Sequence, residues 1–266
     1  MGQAAPTPPT PNLQHLRQSL AALDPSLGPG FGPEERLIGL GMPIDATLSG
    51  GLVCGALHEL APAAPIHLAA SSGFALALAA LAGGIRGQVL WIATDYATAE
   101  GGGPYGPGLD IYGLPAARLL MLRVPRPVDV LWAMEEALRC RALACTIAEL
   151  TGLGAEADLT ATRRLALAAR DGCGPLGLLL RHRATAVPSA AATRWQIASS
   201  PSEPDAYGGL GRVRFDLTLS KNRRGPSGRW IVEWNHHERA FQPAVSVGVA
   251  ETALDRPDRA PLVRTG

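Results

Sequence analysis

Short apolar runs alternate with longer stretches that favour helix along the central part of the chain. Short apolar runs that are typical of buried strands occupy residues 55–61, 87–95, 117–124, 143–150 and 175–183. Stretches that favour helix lie between them, at residues 73–83, 127–142 and 158–172. Because strands alternate with helices, the pattern predicts an α/β fold with a mostly parallel sheet that is flanked by helices on both faces.

The pattern changes to a strict period of two in the C-terminal part. Residues 193–199 form a short predicted strand, and residues 212–235 carry a clear hairpin signal. In the first half of the hairpin, apolar residues alternate with polar ones, and Trp230, Val232 and Trp234 continue the alternation on the return strand. We therefore expect an antiparallel hairpin at the C-terminal end of the core.

The two ends of the chain differ in character from its centre. Residues 1–35 are expected to be a flexible segment that contains one amphipathic helix over 12–23. Its apolar face is formed by four leucines, Leu13, Leu16, Leu20 and Leu23. This helix docks either on the main body or on a partner protein. The core domain is expected to span residues 36–240, and residues 241–266 are expected to be a disordered tail.

Composition limits the classes of function. The formal net charge is +1, so no global field attracts nucleic acid. Cys54, Cys140, Cys145 and Cys173 contain no C-x-x-C pair, which argues against a zinc site. The N-terminus lacks the pattern of a signal peptide, and no uninterrupted apolar run of about 20 residues occurs. We expect a cytoplasmic protein with no membrane span and no bound metal.

One short stretch raises the question of a nucleotide site. Residues 66–80 read IHLAASSGFALALAA, which combines apolar residues, a small-residue turn and a helix. Strand, turn and helix in this order form a phosphate-binding loop when a lysine and a hydroxyl residue follow the last glycine. Here Phe74 and Ala75 follow Gly73. Residues 66–70 either continue the preceding strand or form a loop.

Several segments, taken in order, resemble the core of RecA-type ATPases. The stretch GLGMPIDATLSGGLVCGALHEL, which ends at Leu60, resembles the entry to that core. The stretches VLWIATD, LACTIAEL and LTLSKNRRGPSGRWIVEW fall where the core has later strands. Within that superfamily the chain resembles the ImuA family, through YGPGLDIYGL, LWAMEEALRCRALA, LTATRRLALAAR and PSAAATRWQIASSPS. The resemblance covers roughly residues 36–236.

The resemblance implies a role in the damage-induced SOS response. Proteins of the ImuA family are accessory factors of error-prone translesion synthesis that work with ImuB, a homologue of Y-family polymerases. Through ImuB they work with an error-prone polymerase subunit of the replicative type, and RecA recombinase is a further possible partner. The implied role is that of an accessory protein or scaffold, and direct contact with DNA is expected to be weak or indirect.

The residues at the ancestral nucleotide site argue against catalysis. When the turn is aligned with the RecA-type loop, Ser71, Ser72 and Gly73 form its second half. Phe74 then takes the position of the lysine, and Ala75 takes that of the magnesium ligand. A lysine near phosphate contributes roughly 4 kcal/mol of Coulomb attraction at moderate dielectric, and phenylalanine contributes none. We expect no ATP hydrolysis and no cofactor, and we regard the site as vestigial.

Two acidic residues mark further positions of that site. Asp95 lies at the strand end where the RecA-type core has its catalytic glutamate, and Glu149 lies at the position of its metal-supporting aspartate. Both are interpreted as solvent-exposed residues at strand ends. The alternative is an unconventional ATPase in which Lys221 or Arg223 of a neighbouring subunit serves the phosphates.

Basic residues near the hairpin are candidates for contacts with phosphate, DNA or another subunit. Lys221, the only lysine, and Arg223 match the basic stretch that reaches a neighbour's nucleotide in RecA filaments. The set of candidates is Lys221, Arg223, Arg224, Arg212 and Arg214. A second alternative is therefore a weak DNA-binding protein that acts on recombinase filaments.

Three other features are discounted. His58 and Glu59 begin a zincin-like motif, but no second histidine follows at the helical spacing. His236 and His237 are adjacent, and a surface strand end explains them better than a metal site. The tryptophans at 195, 230 and 234 could stack on bases, although packing in the core is the more frequent role of such residues on alternating strands.

Overall fold

The computed structural model describes residues 36–83, 87–151, 157–172, 174–204, 209 and 211–244. The predicted leucine helix at 12–23, Cys173 and most of the predicted C-terminal tail lie outside these residues. Within them the chain forms an α/β structure around a nine-stranded sheet.

The predicted strands and helices of the core occur in the predicted order, and further short elements accompany them. The strands are β1 (Leu37–Ile38), β2 (Leu52–Val53), β3 (Leu57–Pro62), β4 (Gln88–Thr94), β5 (Leu119–Val124), β6 (Leu143–Leu150), β7 (Leu176–Arg181), β8 (Thr193–Ser200), β9 (Arg214–Asn222), β10 (Gly228–Asn235) and β11 (Ala240–Pro243). The helices are α1 (Ile44–Thr47), α2 (Leu68–Gly83), α3 (Asp95–Gly101), α4 (Gly106–Asp110), α5 (Pro127–Leu138) and α6 (Leu159–Gly172), with 3-10 turns at Pro65–His67 and Ala116–Arg118.

The large sheet has the strand order β11-β10-β9-β8-β3-β7-β6-β4-β5. Strands β3 to β8 are parallel to their neighbours within this group, whereas β9, β10 and β11 are antiparallel. The expected α/β fold with a mostly parallel sheet and a C-terminal antiparallel part is therefore confirmed. Strands β1 and β2 form a separate antiparallel pair.

Helices cover both faces of the parallel part, and each face has its own apolar core. Helix α2 packs on one face, and α5 and α6 pack on the other. Helix α2 is apolar on all sides, which explains why almost every residue from Ser71 to Ala82 is buried. Within the described residues, the stretch Pro65–Gly83, which contains α2, is long and apolar enough to cross a membrane. More than half of this stretch is buried in the core.

Local signals in the sequence explain the bounds of α5 and α6. Pro127 occupies the first turn of α5, and Glu135 and Arg139, four residues apart on this helix, form an ion pair at 2.8 Å. Asp158 accepts a hydrogen bond from the backbone N–H of Ala161 at 2.7 Å and so caps α6. Helix α5 ends four residues before the predicted bound at 142.

The sheet continues slightly beyond the expected end of the core at residue 240. Strand β11 pairs with β10, and Phe241 is buried against Trp234, with ring centroids 4.9 Å apart. Because this aromatic contact stabilises the added strand, residues 241–243 belong to the core and not to the expected tail.

Candidate functional site

The predicted phosphate-loop turn does not exist in the structure. Helix α2 begins at Leu68, directly after the 3-10 turn at Pro65–His67, so Ser71, Ser72 and Gly73 lie inside the helix. The hydroxyl of Ser71 donates to the backbone carbonyl of His67 at 3.3 Å. In this conformation the backbone N–H groups serve helical hydrogen bonds and cannot surround a phosphate. The predicted start of the helix at residue 73 was therefore wrong.

Phe74 fills the core instead of facing a ligand. Its side chain is fully buried, and its ring centroid lies 5.4 Å from that of Phe241, 5.7 Å from Phe215 and 6.0 Å from Trp195. Ala75 is also fully buried. We call Phe74, Trp195, Phe215, Trp234 and Phe241 the aromatic cluster. It joins α2 to the antiparallel part of the sheet.

Gly73, the only glycine in residues 66–80, is required because Tyr112 packs directly against it. A Cβ atom placed on Gly73 would lie 2.2 Å from the hydroxyl oxygen of Tyr112. Tyr112 is largely buried, and this burial raises the pKa of its hydroxyl to about 12. Gly73 therefore allows Tyr112 to pack closely on α2, and it does not serve an approach of backbone to phosphate.

The two acidic candidates lie in different environments. Asp95 is exposed and is the first residue of α3, whose N-cap is Thr94. Glu149 near the end of β6 is enclosed, with 12% of its side chain exposed. It accepts hydrogen bonds from the indole of Trp91 at 2.9 Å and pairs with Nε2 of His182 at 2.6 Å. The interpretation as a solvent-exposed residue fits Asp95 and is wrong for Glu149.

The group Trp91–Glu149–His182 was not predicted. The register pairs Trp91 with Ile147 of the neighbouring strand, so Trp91 and Glu149 lie close on the same face. His182 follows β7 on the other side of β6. The sequence does not reveal this contact because it depends on the strand order β7-β6-β4. In the described structure the carboxylate of Glu149 is occupied by these two partners.

A second group, on the opposite face of the sheet, was also missed. Glu59 of β3 binds Arg181 of β7 at 2.8 Å and Arg194 of β8 at 2.7 Å. Burial acts to raise the pKa of Glu59, but the two guanidinium groups outweigh it, so the pKa lies below its usual value. We call Glu59, Arg181 and Arg194 the buried ion triad. A charged residue inside an otherwise apolar strand is the sequence signal that could have revealed it.

The buried ion triad fixes the segment between β7 and β8. Arg194 donates to the backbone carbonyls of Thr185 at 3.1 Å and Val187 at 2.7 Å. Lys221 reaches the same segment, since its Nζ donates to the carbonyl of Ser189 at 2.6 Å. Burial and the neighbouring cations Arg223 and Arg194 lower the pKa of Lys221. The chain's only lysine is thus bound within its own subunit.

The remaining basic candidates do not form one common patch. Arg212 and Arg214 both pair with Glu233, at 3.2 Å and 2.8 Å. Arg223 is exposed at the end of the hairpin, beside Lys221. Arg224 accepts a hydrogen bond at its backbone oxygen from Ser49. The structure thus brings Lys221, Arg223 and Arg224 together and places Arg212 and Arg214 in ion pairs near the other end of β9.

The discounted motifs have structural explanations. In the described part of the chain, no group of three potential ligands could hold a metal ion. His58 is fully enclosed: its Nδ1 lies 2.7 Å from the hydroxyl of Thr193, and its Nε2 lies 3.0 Å from the carbonyl of Val53. The indole of Trp195 donates to the same hydroxyl at 2.8 Å. Because the carbonyl of Val53 can only accept, Nε2 of the neutral His58 carries the proton, and the hydroxyl of Thr193 donates to Nδ1.

This arrangement predicts a dependence of stability on pH. Burial lowers the pKa of His58 from 6.5 to about 4. Below pH 6.5 the unfolded chain takes up a proton that the folded chain does not, so the free energy of unfolding should decrease by about 3 kcal/mol between pH 6.5 and pH 4. Urea unfolding at several pH values measures this decrease, and NMR of the imidazole should show a neutral ring down to about pH 4. The exposed His236→Gln variant should retain the same slope, and a flat profile would contradict the prediction.

The chain is similar to two known proteins over part of its length. No family model matches it. The chain is 36% identical over 159 residues to Protein ImuA of Caulobacter vibrioides strain NA1000 / CB15N, and equally similar to Protein ImuA of strain ATCC 19089 / CIP 103742 / CB 15. Each match covers 55% of this chain and 60% of the relative. The chain thus spans less than two thirds of the curated relatives that it matches.

Proposed function

We propose that the chain is a non-catalytic, RecA-like accessory protein of damage-induced, error-prone translesion DNA synthesis. The similarity to Protein ImuA supports this proposal and supports membership of the ImuA family. In this role it docks an ImuB-type subunit in the cytoplasm and connects, through that subunit, to an error-prone polymerase of the replicative type. RecA recombinase is a further proposed partner. The chain acts as a scaffold and not as a motor.

The observation that carries the proposal is the burial of Phe74. At the position where a RecA-type loop needs a lysine, the aromatic cluster occupies the space, and the surrounding stretch is helix. A triphosphate needs several backbone N–H donors and a cation at that point. Neither is present in this helical stretch, which supports the proposal of a RecA-like protein that has lost the ability to bind phosphates.

The fold supports the RecA-like part of the proposal. The parallel strands β3 to β8 continue directly into the antiparallel strands β9 to β11 within one sheet. The helix that would carry the phosphate loop follows β3 near the middle of the sheet. This combination matches what the resemblance to RecA-type cores leads us to expect.

The two alternatives receive less support from the contacts. An ATPase that uses Lys221 of a neighbour needs a free ammonium group, whereas Lys221 already donates to Ser189. Glu149 would also have to leave Trp91 and His182 to support a metal. The positive charge that a DNA-binding surface needs is reduced here, because Arg212 and Arg214 are paired with Glu233. These contacts favour the scaffold.

One experiment separates the scaffold from the ATPase. The full chain is co-expressed with the ImuB-type subunit of the same genome, the complex is isolated by size exclusion, and its bound nucleotide is analysed. We expect a stable complex without nucleotide, and ATP turnover equal to that of the Glu149→Ala variant. A nucleotide bound at a hundred times its Kd would stabilise the fold by about 2.7 kcal/mol, so a melting temperature that is unchanged by ATP and magnesium is also expected.

Two results contradict the proposal in different ways. Turnover that disappears in Glu149→Ala, or a clear rise in melting temperature with ATP, establishes a working nucleotide site. Failure of the two full-length proteins to associate at micromolar concentration removes the docking role. The isolated chain, with and without single-stranded DNA, is the reference in each case.

A further inference from the structure

The segment after β4 exposes several large apolar side chains. Tyr96 in α3, Tyr105 before α4 and Ile111 after α4 are 61%, 74% and 49% exposed. The neighbouring edge strand adds Met121, whose Cε lies 3.7 Å from the position of a Cβ on Gly103. These exposed apolar side chains follow one another within residues 96–111, and exposed apolar side chains of this kind are typical of an interaction surface.

The backbone of this segment is held firmly although its side chains are exposed. The indole of Trp234 donates to the carbonyl of Ile111 at 2.8 Å. Leu109 and Leu114 are buried in the core, and Tyr112 packs on Gly73 of α2. A partner would therefore meet a preformed surface, and little conformational entropy would be lost on binding.

The same segment is acidic. Asp95, Glu100 and Asp110 are exposed, and no Lys, Arg or His occurs between residues 88 and 117. The neighbouring carboxylate of Glu100 raises the pKa of the Tyr96 hydroxyl, so an aromatic and an acidic group lie close together. Arg118 and Arg123 flank the segment on the side of β5. We call Asp95, Tyr96, Glu100, Tyr105, Asp110 and Ile111 the acidic–aromatic surface.

We infer that the acidic–aromatic surface binds a segment of the ImuB-type subunit in which arginine or lysine side chains accompany large apolar ones. This inference rests on the proposed docking role and adds the place of contact and the chemistry of the partner. Tyrosine rings provide apolar contact area, and the faces of these rings also attract cations. The carboxylates attract basic side chains and repel the phosphates of DNA, so a basic protein segment fits this surface better than nucleic acid.

The test compares two matched variants in the full-length complex. One carries Tyr96→Ser, Tyr105→Ser and Asp110→Lys in the surface. The control carries Trp132→Ser and Glu136→Lys on α5, where both side chains are also exposed. All substitutions are at exposed positions, so both variants should melt within a few degrees of the unmodified chain. We expect the surface variant to bind the ImuB-type subunit at least tenfold more weakly and the control to bind like the unmodified chain.

The outcomes separate this inference from the proposed function. A tenfold loss that is confined to the surface variant supports the surface. Equal affinities of all three proteins overturn the surface but leave the docking role intact. Absence of binding by the unmodified chain removes both. A surface variant that keeps its partner but changes its affinity for single-stranded DNA contradicts the inference that the occupant is a protein segment.

Discussion

Replacing Phe74 with lysine should unfold most of the chain and should not create a nucleotide site. The variant restores the residue that a RecA-type loop requires, but its ammonium group would point into the aromatic cluster. Removal of a buried phenylalanine costs about 3–5 kcal/mol, and burial of an unpaired charge adds to this cost. Because domains are stable by only about 5–15 kcal/mol, the loss is large enough to destroy the native state.

The measurement is urea unfolding, followed by circular dichroism and by the fluorescence of the tryptophans. The matched control is Phe74→Leu, which keeps an apolar side chain and should remain folded with a loss of about 1–2 kcal/mol. ATP with magnesium should not restore stability to the lysine variant. A folded Phe74→Lys protein whose midpoint rises with ATP would show that α2 can open into a phosphate loop, and it would contradict the scaffold role.

The alternation of strands and helices was predictable because each element has a strong local signal. The period of two in residues 212–235 comes from a sheet that is buried on one face only, and the structure places Phe215 and Leu217 inward while Asp216 and Thr218 face outward. The continuous apolar run in β6 reflects burial on both faces. In these regions the local pattern and the tertiary structure agree.

The start of α2 could not be predicted from the same signals. Residues 66–72 contain small residues that occur equally well in turns, and a helix that is buried on all sides shows no amphipathic pattern. Helix α4 was missed because Gly106, Pro107 and Gly108 predict a turn, and α3 was missed because it is only 7 residues long. The environments of Glu149 and Glu59 were missed for a different reason: each depends on which strands become neighbours, and a single sequence does not state that order.

Replacing Glu59 with glutamine should strongly destabilise the fold, although the change only exchanges a carboxylate oxygen for an amide nitrogen. Glu59 is the acidic partner of two guanidinium groups, and the side chains of Glu59 and Arg181 are 2% and 4% exposed. Breaking a buried ion pair by removing one partner typically costs about 3–5 kcal/mol, because the remaining charge stays buried. The loss should appear in urea unfolding at pH 7, and the segment that Arg194 holds at Thr185 and Val187 should become more accessible to proteases.

The control variant and the pH profile show whether the loss of the Glu59 charge causes the loss of stability. Glu136→Gln removes an exposed partner of Arg139 and should cost less than about 1 kcal/mol. The pKa of Glu59 is lowered in the folded chain, so its stabilising contribution is present above pH 4.5 and is lost as the pH falls through the folded pKa. This acid-dependent part should be absent from Glu59→Gln. If Glu59→Gln were as stable as Glu136→Gln at pH 7, the buried ion triad would not hold β3, β7 and β8 together, and apolar packing alone would have to stabilise the centre of the sheet.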